Sequence, residues 1–397
     1  MSKSSKFKVQ SSKFIAVLVA LVPLVLSAGQ DEITKWDPAM GESRTVIDTN
    51  GVKWIDGRYL PIEGRWNLGA TSNYYSRLPD TLTTNVNGGV RGGRQNTSGM
   101  QFRFRTDSKF LVIRMKPLRG WHALRHMTEV GRSGWDVYRF DTVAKVWRFV
   151  ASNHVCRDVS DRPGWREKRV DWQPGDACII NLPLYNGVAG FELGIASDAK
   201  IGALGPRASG IEKPVVFYGT SITQGGCASR PGLGWVNIVG RDLDVPVFGL
   251  GFSGSGVMEY ELSDVIARID ASCYVLDCLW NMSMTEPDSR GRFNRSVPKN
   301  YEPFIRNLRA KRPGVPIVMA EQCDVFCKGP NDKDRFIKAL YEKLIAEGWT
   351  NLVYLPKADM YTGDYEGTVD GCHPNDFGMM SVAKAFGKAV REALRLK

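Results

Sequence analysis

The sequence predicts an α/β fold, a parallel sheet layered between helices and preceded by a jelly-roll-like β-sandwich. Three observations carry that prediction. Residues 30–200 alternate apolar and polar with period two and show no long helical pattern. The stretch from Ser197 to Lys213 is rich in Gly, Ala, Pro and Ser, so 201–212 reads as a linker. From 213 to 397, short β-branched runs alternate with amphipathic helical stretches, the pattern of parallel strands joined by crossover helices. A chain of 397 residues is long enough for two such domains.

The elements follow in order. In the first domain Met100-Gln101-Phe102-Arg103-Phe104-Arg105 alternates strictly, and residues 145–150 do so less regularly. Residues 110–113, all apolar, and 179–182, apolar apart from Asn181, read as more fully buried strands. In the second domain strands are predicted at 215–218, 245–250, 273–279, 315–320 and 352–355. Helices are predicted at 301–311, 334–347 and 376–396. In the second of these, Phe336, Ile337, Leu340, Leu344 and Ile345 share one face.

Residues 1–29 read as a signal peptide. Lys3, Lys6, Lys8 and Lys13 precede an apolar run at 14–26, and Ser27-Ala28-Gly29 offers small residues for cleavage. The run suits an h-region and is short for a membrane span. The expected product is secreted or periplasmic, without stable membrane insertion after cleavage. The formal charge of +11 includes those four lysines, and the remaining Arg and Lys are scattered. No basic stripe interleaved with aromatics marks a nucleic-acid partner. Eight cysteines in an exported chain permit disulfides, and buried free thiols remain an equal reading. Cys323 and Cys327 lack a matching Cys/His pair, so no metal site is expected.

The chemistry concentrates at strand ends. Val215-Val216-Phe217-Tyr218 runs into Gly219-Thr220-Ser221, which places a serine hydroxyl at the tip of a buried strand. A serine hydroxyl becomes a nucleophile only with a base in reach. His373, in Asp370-Gly371-Cys372-His373-Pro374, is the sole histidine after position 154. Asp370 lies three residues upstream, where a carboxylate can hold the imidazole tautomer. A tetrahedral intermediate needs donors, and the backbone N–H groups of Ser221 and Gly254 and the Asn281 side-chain amide are candidates. Ser221, Gly254 and Asn281 follow the first three strands, and His373 precedes the last helix, so all converge on the carboxyl edge of the sheet.

That ordered set resembles the SGNH hydrolases, the GDSL-type esterases, over roughly the second half of the chain. The resemblance implies a three-layer α/β/α domain and ester hydrolysis through an acyl-enzyme, without metal or organic cofactor. Carried onto this sequence it implies Ser221 as nucleophile, His373 as base and Asp370 as orienter. Ser221, Gly254 and Asn281 become the oxyanion donors. Two positions depart from the common pattern: Thr220 stands where Asp usually precedes the serine, and Met282 follows Asn281 where many members carry Asp. Gly134-Trp135-Asp136-Val137-Tyr138 is similar to the Gly-x-Asp-Leu-Tyr signature of two-domain bacterial members with an N-terminal sandwich. The expected substrate is an acylated oligo- or polysaccharide, most often acetylated in such members. Trp235, Trp280 and Asp136 are candidates for substrate contact. The competing readings are a lysophospholipase-like lipid acylhydrolase and a non-catalytic carbohydrate-binding protein.

Overall fold

The computed structural model describes residues 46–82, 86–285, 294–363 and 365–396. The expected signal peptide lies outside the described residues.

The first domain is a sandwich of β1 (Val46–Ile47), β2 (Val52–Asp56), β3 (Ile62–Glu63), β4 (Gln101–Thr106), β5 (Phe110–Pro117), β6 (Asp136–Asp141), β7 (Val146–Ser152), β8 (Arg157–Asp158), β9 (Arg166–Asp171), β10 (Ala177–Asn181), β11 (Val188–Ala196) and β12 (Ile201–Ala203). One sheet runs β1-β2-β11-β5-β9-β8, and the other runs β12-β4-β10-β6-β7 with β3 added to β4. The alternation of β4 has the expected cause. Phe102 and Phe104 point into the sandwich opposite Ile180 and Cys178 of β10. They meet Leu111, Ile113 and Met115 of β5 and Leu193 and Ile195 of β11 in one core. Each such side chain contributes about 1.5–3 kcal/mol by leaving water. The predicted linker is corrected at its start. Ile201–Ala203 is a strand that pairs with β4, a pairing its small residues did not signal.

The second domain carries β13 (Val215–Gly219), β14 (Val247–Gly251), β15 (Cys273–Asp277), β16 (Ile317–Ala320) and β17 (Leu352–Leu355). They form a parallel sheet in the order β14-β13-β15-β16-β17. β13 is buried throughout, and its two faces serve two cores. Val215 and Phe217 pack toward helices Trp235–Leu243 and Asp376–Leu394. Val216 and Tyr218 pack toward helices Tyr260–Ile266, Val297–Lys311 and Asp332–Ala346. Burial on both faces explains why this strand reads as a continuous apolar run.

Two of these helices, Trp235–Leu243 and Tyr260–Ile266, were not predicted; both are short. In the first, residues 235–240 are all buried and only Arg241 and Asp242 face outward, too few exposed positions to show a helical period. Local chemistry sets the other boundaries. Pro316 holds back the start of β16, and Asn331 with Asp334 forms a capping box that starts Asp332–Ala346 two residues earlier than predicted. β15 stops at Asp277 because Leu279–Asn281 turns into a 3-10 helix, which swings Asn281 back over the sheet edge. None of the described helices is long and apolar enough to cross a membrane.

The two domains share their interior. Trp66, Leu78, Val86 and Val90 lie in the same core as Phe248, Leu250 and Phe252, and Met127 and Leu184 join the core on the other face of the sheet. Arg77 is fully buried in this seam. Its guanidinium donates to the carbonyls of Gly249 at 2.8 Å, Gly251 at 3.0 Å and Gly93 at 2.7 Å. Burial lowers its pKa, and carbonyl oxygens rather than a counter-ion solvate it. The backbones also touch directly: a Cβ on Gly249 would stand 2.8 Å from the Ser98 carbonyl oxygen.

Candidate active site

β13 and its neighbours β14 and β15 define the switch point of the sheet, where the chain leaves the first strand in both directions and a crevice opens beyond the carboxyl ends. Ser221 lies in the turn at that point. Thr220 shapes the turn: its hydroxyl accepts from Ile222 N at 3.2 Å, and its amide donates to Thr223 Oγ1 at 3.3 Å. A threonine thus does the local hydrogen bonding of a short polar residue at this position. Gly226 N and Tyr185 Oη both donate to the Ser221 carbonyl, at 2.8 and 2.9 Å. Tyr185 belongs to the sandwich domain.

The Ser221 hydroxyl lies 2.9 Å from His373 Nε2, and His373 Nδ1 lies 2.8 Å from Asp370 Oδ2. The other oxygen of Asp370 accepts from the backbone N–H of His373 at 2.8 Å and of Cys372 at 3.0 Å. One carboxylate therefore positions both the loop and the ring. Partial burial pushes the Asp370 carboxyl up, but the His373 N–H, the imidazole and the Cys372 N–H together outweigh it and leave the carboxyl below its ordinary range. Asn375 caps the helix Asp376–Leu394 through Gly378 N at 3.0 Å, anchoring the loop two residues beyond His373.

The donors come from the neighbouring strand exits. Gly254 has φ +66°, a left-handed conformation that suits glycine, and a Cβ there would meet nothing within 4 Å. Asn281 accepts from Gly256 N through Oδ1 at 3.2 Å, which fixes its amide orientation and leaves the NH2 group on the far side. Lys333 Nζ donates to the Leu279 carbonyl at 2.6 Å and holds this 3-10 turn. The backbone N–H groups of Ser221 and Gly254 make no hydrogen bond among the described residues. Gln224 ties the loops together. Its Oε1 accepts from Ser253 N at 2.8 Å, and its Nε2 donates to the Leu184 carbonyl at 3.1 Å.

Beneath the serine turn lies Asp277, at the end of β15. It is buried and accepts from Thr223 Oγ1 at 2.7 Å, while its Oδ1 has no partner among the described residues. Burial pushes its carboxyl up to about 7, against the opposing Thr223 hydrogen bond.

Two of the three residues predicted for substrate contact are displaced. Trp235 is fully buried, stacked on Phe386 at a centroid distance of 4.2 Å and edge-on to Phe217. Its ring belongs to the core between the sheet and the last helix. Asp136 is also fully buried. It accepts from Asn181 Nδ2 at 2.8 Å, Arg230 Nη1 at 2.9 Å and Gly232 N at 2.8 Å. Its carboxylate is used to bind the sandwich to the second domain. Trp280 is half-buried beside Asn281, and its indole N–H donates to the Cys323 carbonyl. All eight cysteines are free thiols.

With this geometry in view, the comparisons with known proteins decide the lineage. Residues 212–391 match the GDSL-like lipase/acylhydrolase family, and residues 52–201 match the family described as the N-terminus of SGNH-hydrolase-type esterases. The chain belongs to the SGNH (GDSL-type) hydrolases. This hydrolase is similar in structure to a protein from Bacteroides ovatus ATCC 8483 described as a GDSL-like lipase, with 25% identity and a TM-score of 0.72 over 87% of this chain and 99% of that one. It shares its fold with the salicylyl-acyltransferase SsfX3 of a tetracycline biosynthetic pathway, at 19% identity and a TM-score of 0.66 over 87% of this chain and 98% of that one. No curated protein matches the sequence.

The chief site features not predicted from the sequence are Tyr185, Gln224 and the histidine at 126. Gln224 lies three residues after Ser221, where its type and position were visible. Tyr185 and His126 come from the other domain, and nothing local to them signals the contact.

Proposed function

We propose that this hydrolase is an exported serine esterase that removes acetyl or similarly short acyl groups from oligo- or polysaccharides. The observation that carries the reading is the unbroken chain from Ser221 Oγ through His373 to Asp370, at 2.9 and 2.8 Å. In this reading His373 takes the Ser221 proton as Oγ attacks the ester carbonyl. The oxyanion receives hydrogen bonds from Ser221 N, Gly254 N and the Asn281 amide. His373 returns the proton to the sugar oxygen, which leaves as an alcohol. Water, deprotonated by the same imidazole, then attacks the acyl-serine and releases the acid.

Two observations support a short acyl group on a sugar. A Cβ on Gly226 would stand 2.6 Å from Tyr185 Oη and 3.1 Å from His373 Cδ2, so the space behind the serine is already filled. Beside the His373 loop, Tyr365 packs edge-on against Phe326 at 5.0 Å and Tyr361 at 6.1 Å, with Tyr365 60% and Phe326 42% exposed. Exposed rings of this kind offer apolar faces on which a sugar can stack.

The test is release of 4-nitrophenol from acetate, butyrate and octanoate esters, with acetate release from an acetylated xylan alongside, in wild type and Ser221→Ala. The reading predicts fastest turnover of acetate, abolished in the variant, and acetate release from the glycan. Turnover rising with chain length would move the assignment to lipids. Glycan binding without serine-dependent hydrolysis would make it a binding protein.

A further inference from the structure

His126, Cys227, Asp370 and His373 each present a ligand-type atom, and these atoms all lie within 4.8 Å of one another. The four residues come from three segments and two domains. His126 stands at the tip of a tight turn closed by Leu124 N to Met127 O at 3.0 Å and Met127 N to Leu124 O at 3.2 Å. Buried Met127 anchors that turn in the core of the hydrolase domain. The His126 ring lies 5.5 Å from the His373 ring, centroid to centroid. Cys227 is buried and held at φ +73°, an uncommon conformation for a side chain with a Cβ. Neither the His126 ring nitrogens nor the Cys227 sulfur makes a hydrogen bond among the described residues. His126 and Asp370 are exposed, so an ion can enter from solvent.

We propose that these four residues form an inhibitory site for a borderline-soft divalent cation, with zinc as its best occupant. Two imidazoles, a thiol and a carboxylate match zinc and disfavour magnesium or calcium, which take oxygen ligands. Zinc bonds of about 2.0–2.3 Å set tetrahedral edges of roughly 3.3–3.6 Å. Side-chain rotations of about 1 Å close the present spacing to that. On binding, the Cys227 thiol gives its proton to solvent and the thiolate sulfur bonds the metal. Whichever His373 nitrogen binds the ion, one of its two hydrogen bonds, to Ser221 or to Asp370, is replaced. The imidazole then no longer links the serine to the carboxylate. Removal of the ion restores that link, so the inhibition is reversible.

The test uses the full chain and reads metal binding directly. Cobalt titrated into Ser221→Ala should produce the sulfur-to-cobalt charge-transfer band and the visible bands of a tetrahedral site. Zinc should displace it. Cys227→Ser should abolish the charge-transfer band, and Cys227→Ser and His126→Ala should each weaken zinc binding by about 100-fold or more. With wild type, zinc should inhibit ester turnover and a chelator should reverse it, with the inhibitory concentration rising in parallel in both variants. A cobalt spectrum without the charge-transfer band, or a zinc affinity unchanged in both variants, would overturn the proposal. The binding arm needs no turnover, so it still reads if the esterase assignment fails.

Discussion

Asp370 makes a ring contact and two backbone contacts with its own loop, so its removal and its neutralisation should differ. In Asp370→Asn the loop keeps an acceptor but the imidazolium loses its charge partner. We predict a loss of roughly 10³–10⁴ in kcat with little change in KM, measured on 4-nitrophenyl acetate. Asn281→Ala removes one oxyanion donor and should cost about 10²–10³ in kcat. An equal loss in KM alone would instead make Asn281 a binding residue. Asp277 gives a pH prediction with a definite sign. Its carboxyl is raised from 3.8 to about 7 by burial, so the folded state binds a proton that the unfolded chain has released. The associated stability is full below pH 4 and fades as pH rises through 7. A shift of this size corresponds to at most about 4 kcal/mol. Denaturant unfolding of Asp277→Asn between pH 4 and 8 should show a flatter profile than wild type. Identical profiles would remove Asp277 as the source.

At the scale of elements, the loops after β13, β14 and β15 are linked to each other rather than hung separately from the sheet. Gln224 joins the first two, and Asn281 joins the second and third through Gly256. The same logic joins β6 to the second domain. Asp136 is 0% exposed, and its partner Arg230 is only 19% exposed, so this is a buried ion pair with backbone support from Gly232. Breaking one side of such a pair leaves an uncompensated charge. Asp136→Ala should therefore destabilise the protein by about 3–5 kcal/mol, read by denaturant midpoint. A loss below about 1 kcal/mol would show that water replaces the carboxylate. The Gly-x-Asp-Leu-Tyr-like segment is thus an element of assembly: it carries the carboxylate that locks the sandwich to the loop after Ser221.

At the scale of the whole molecule, shared cores and the buried Arg77 make the two domains one cooperative body. Calorimetry of the full chain should show a single transition. Two well-separated transitions would contradict the shared core. At Gly249 the two domains meet backbone to backbone, and Gly249→Val would drive a side chain into the carbonyl of Ser98. That variant should lower the melting temperature and esterase activity together, since Tyr185 and Leu184 reach the serine loop across the same seam.

The two periods, the parallel sheet and the residues at its carboxyl edge are legible in the chain alone. These are local properties. A β-branched run ending in Gly219-Thr220-Ser221 places a hydroxyl at a strand exit, and a three-residue spacing lets Asp370 reach both the His373 ring and its N–H. What Asp136, Trp235, Tyr185 and His126 touch is set by packing across the fold. An acidic residue on a strand and a tryptophan on a short helix look alike whether they meet substrate, core or another domain. That choice is made by docking surfaces far apart in the chain. Here docking buried Trp235 under Phe386, joined Asp136 to Arg230, and carried Tyr185 and His126 to the catalytic loop.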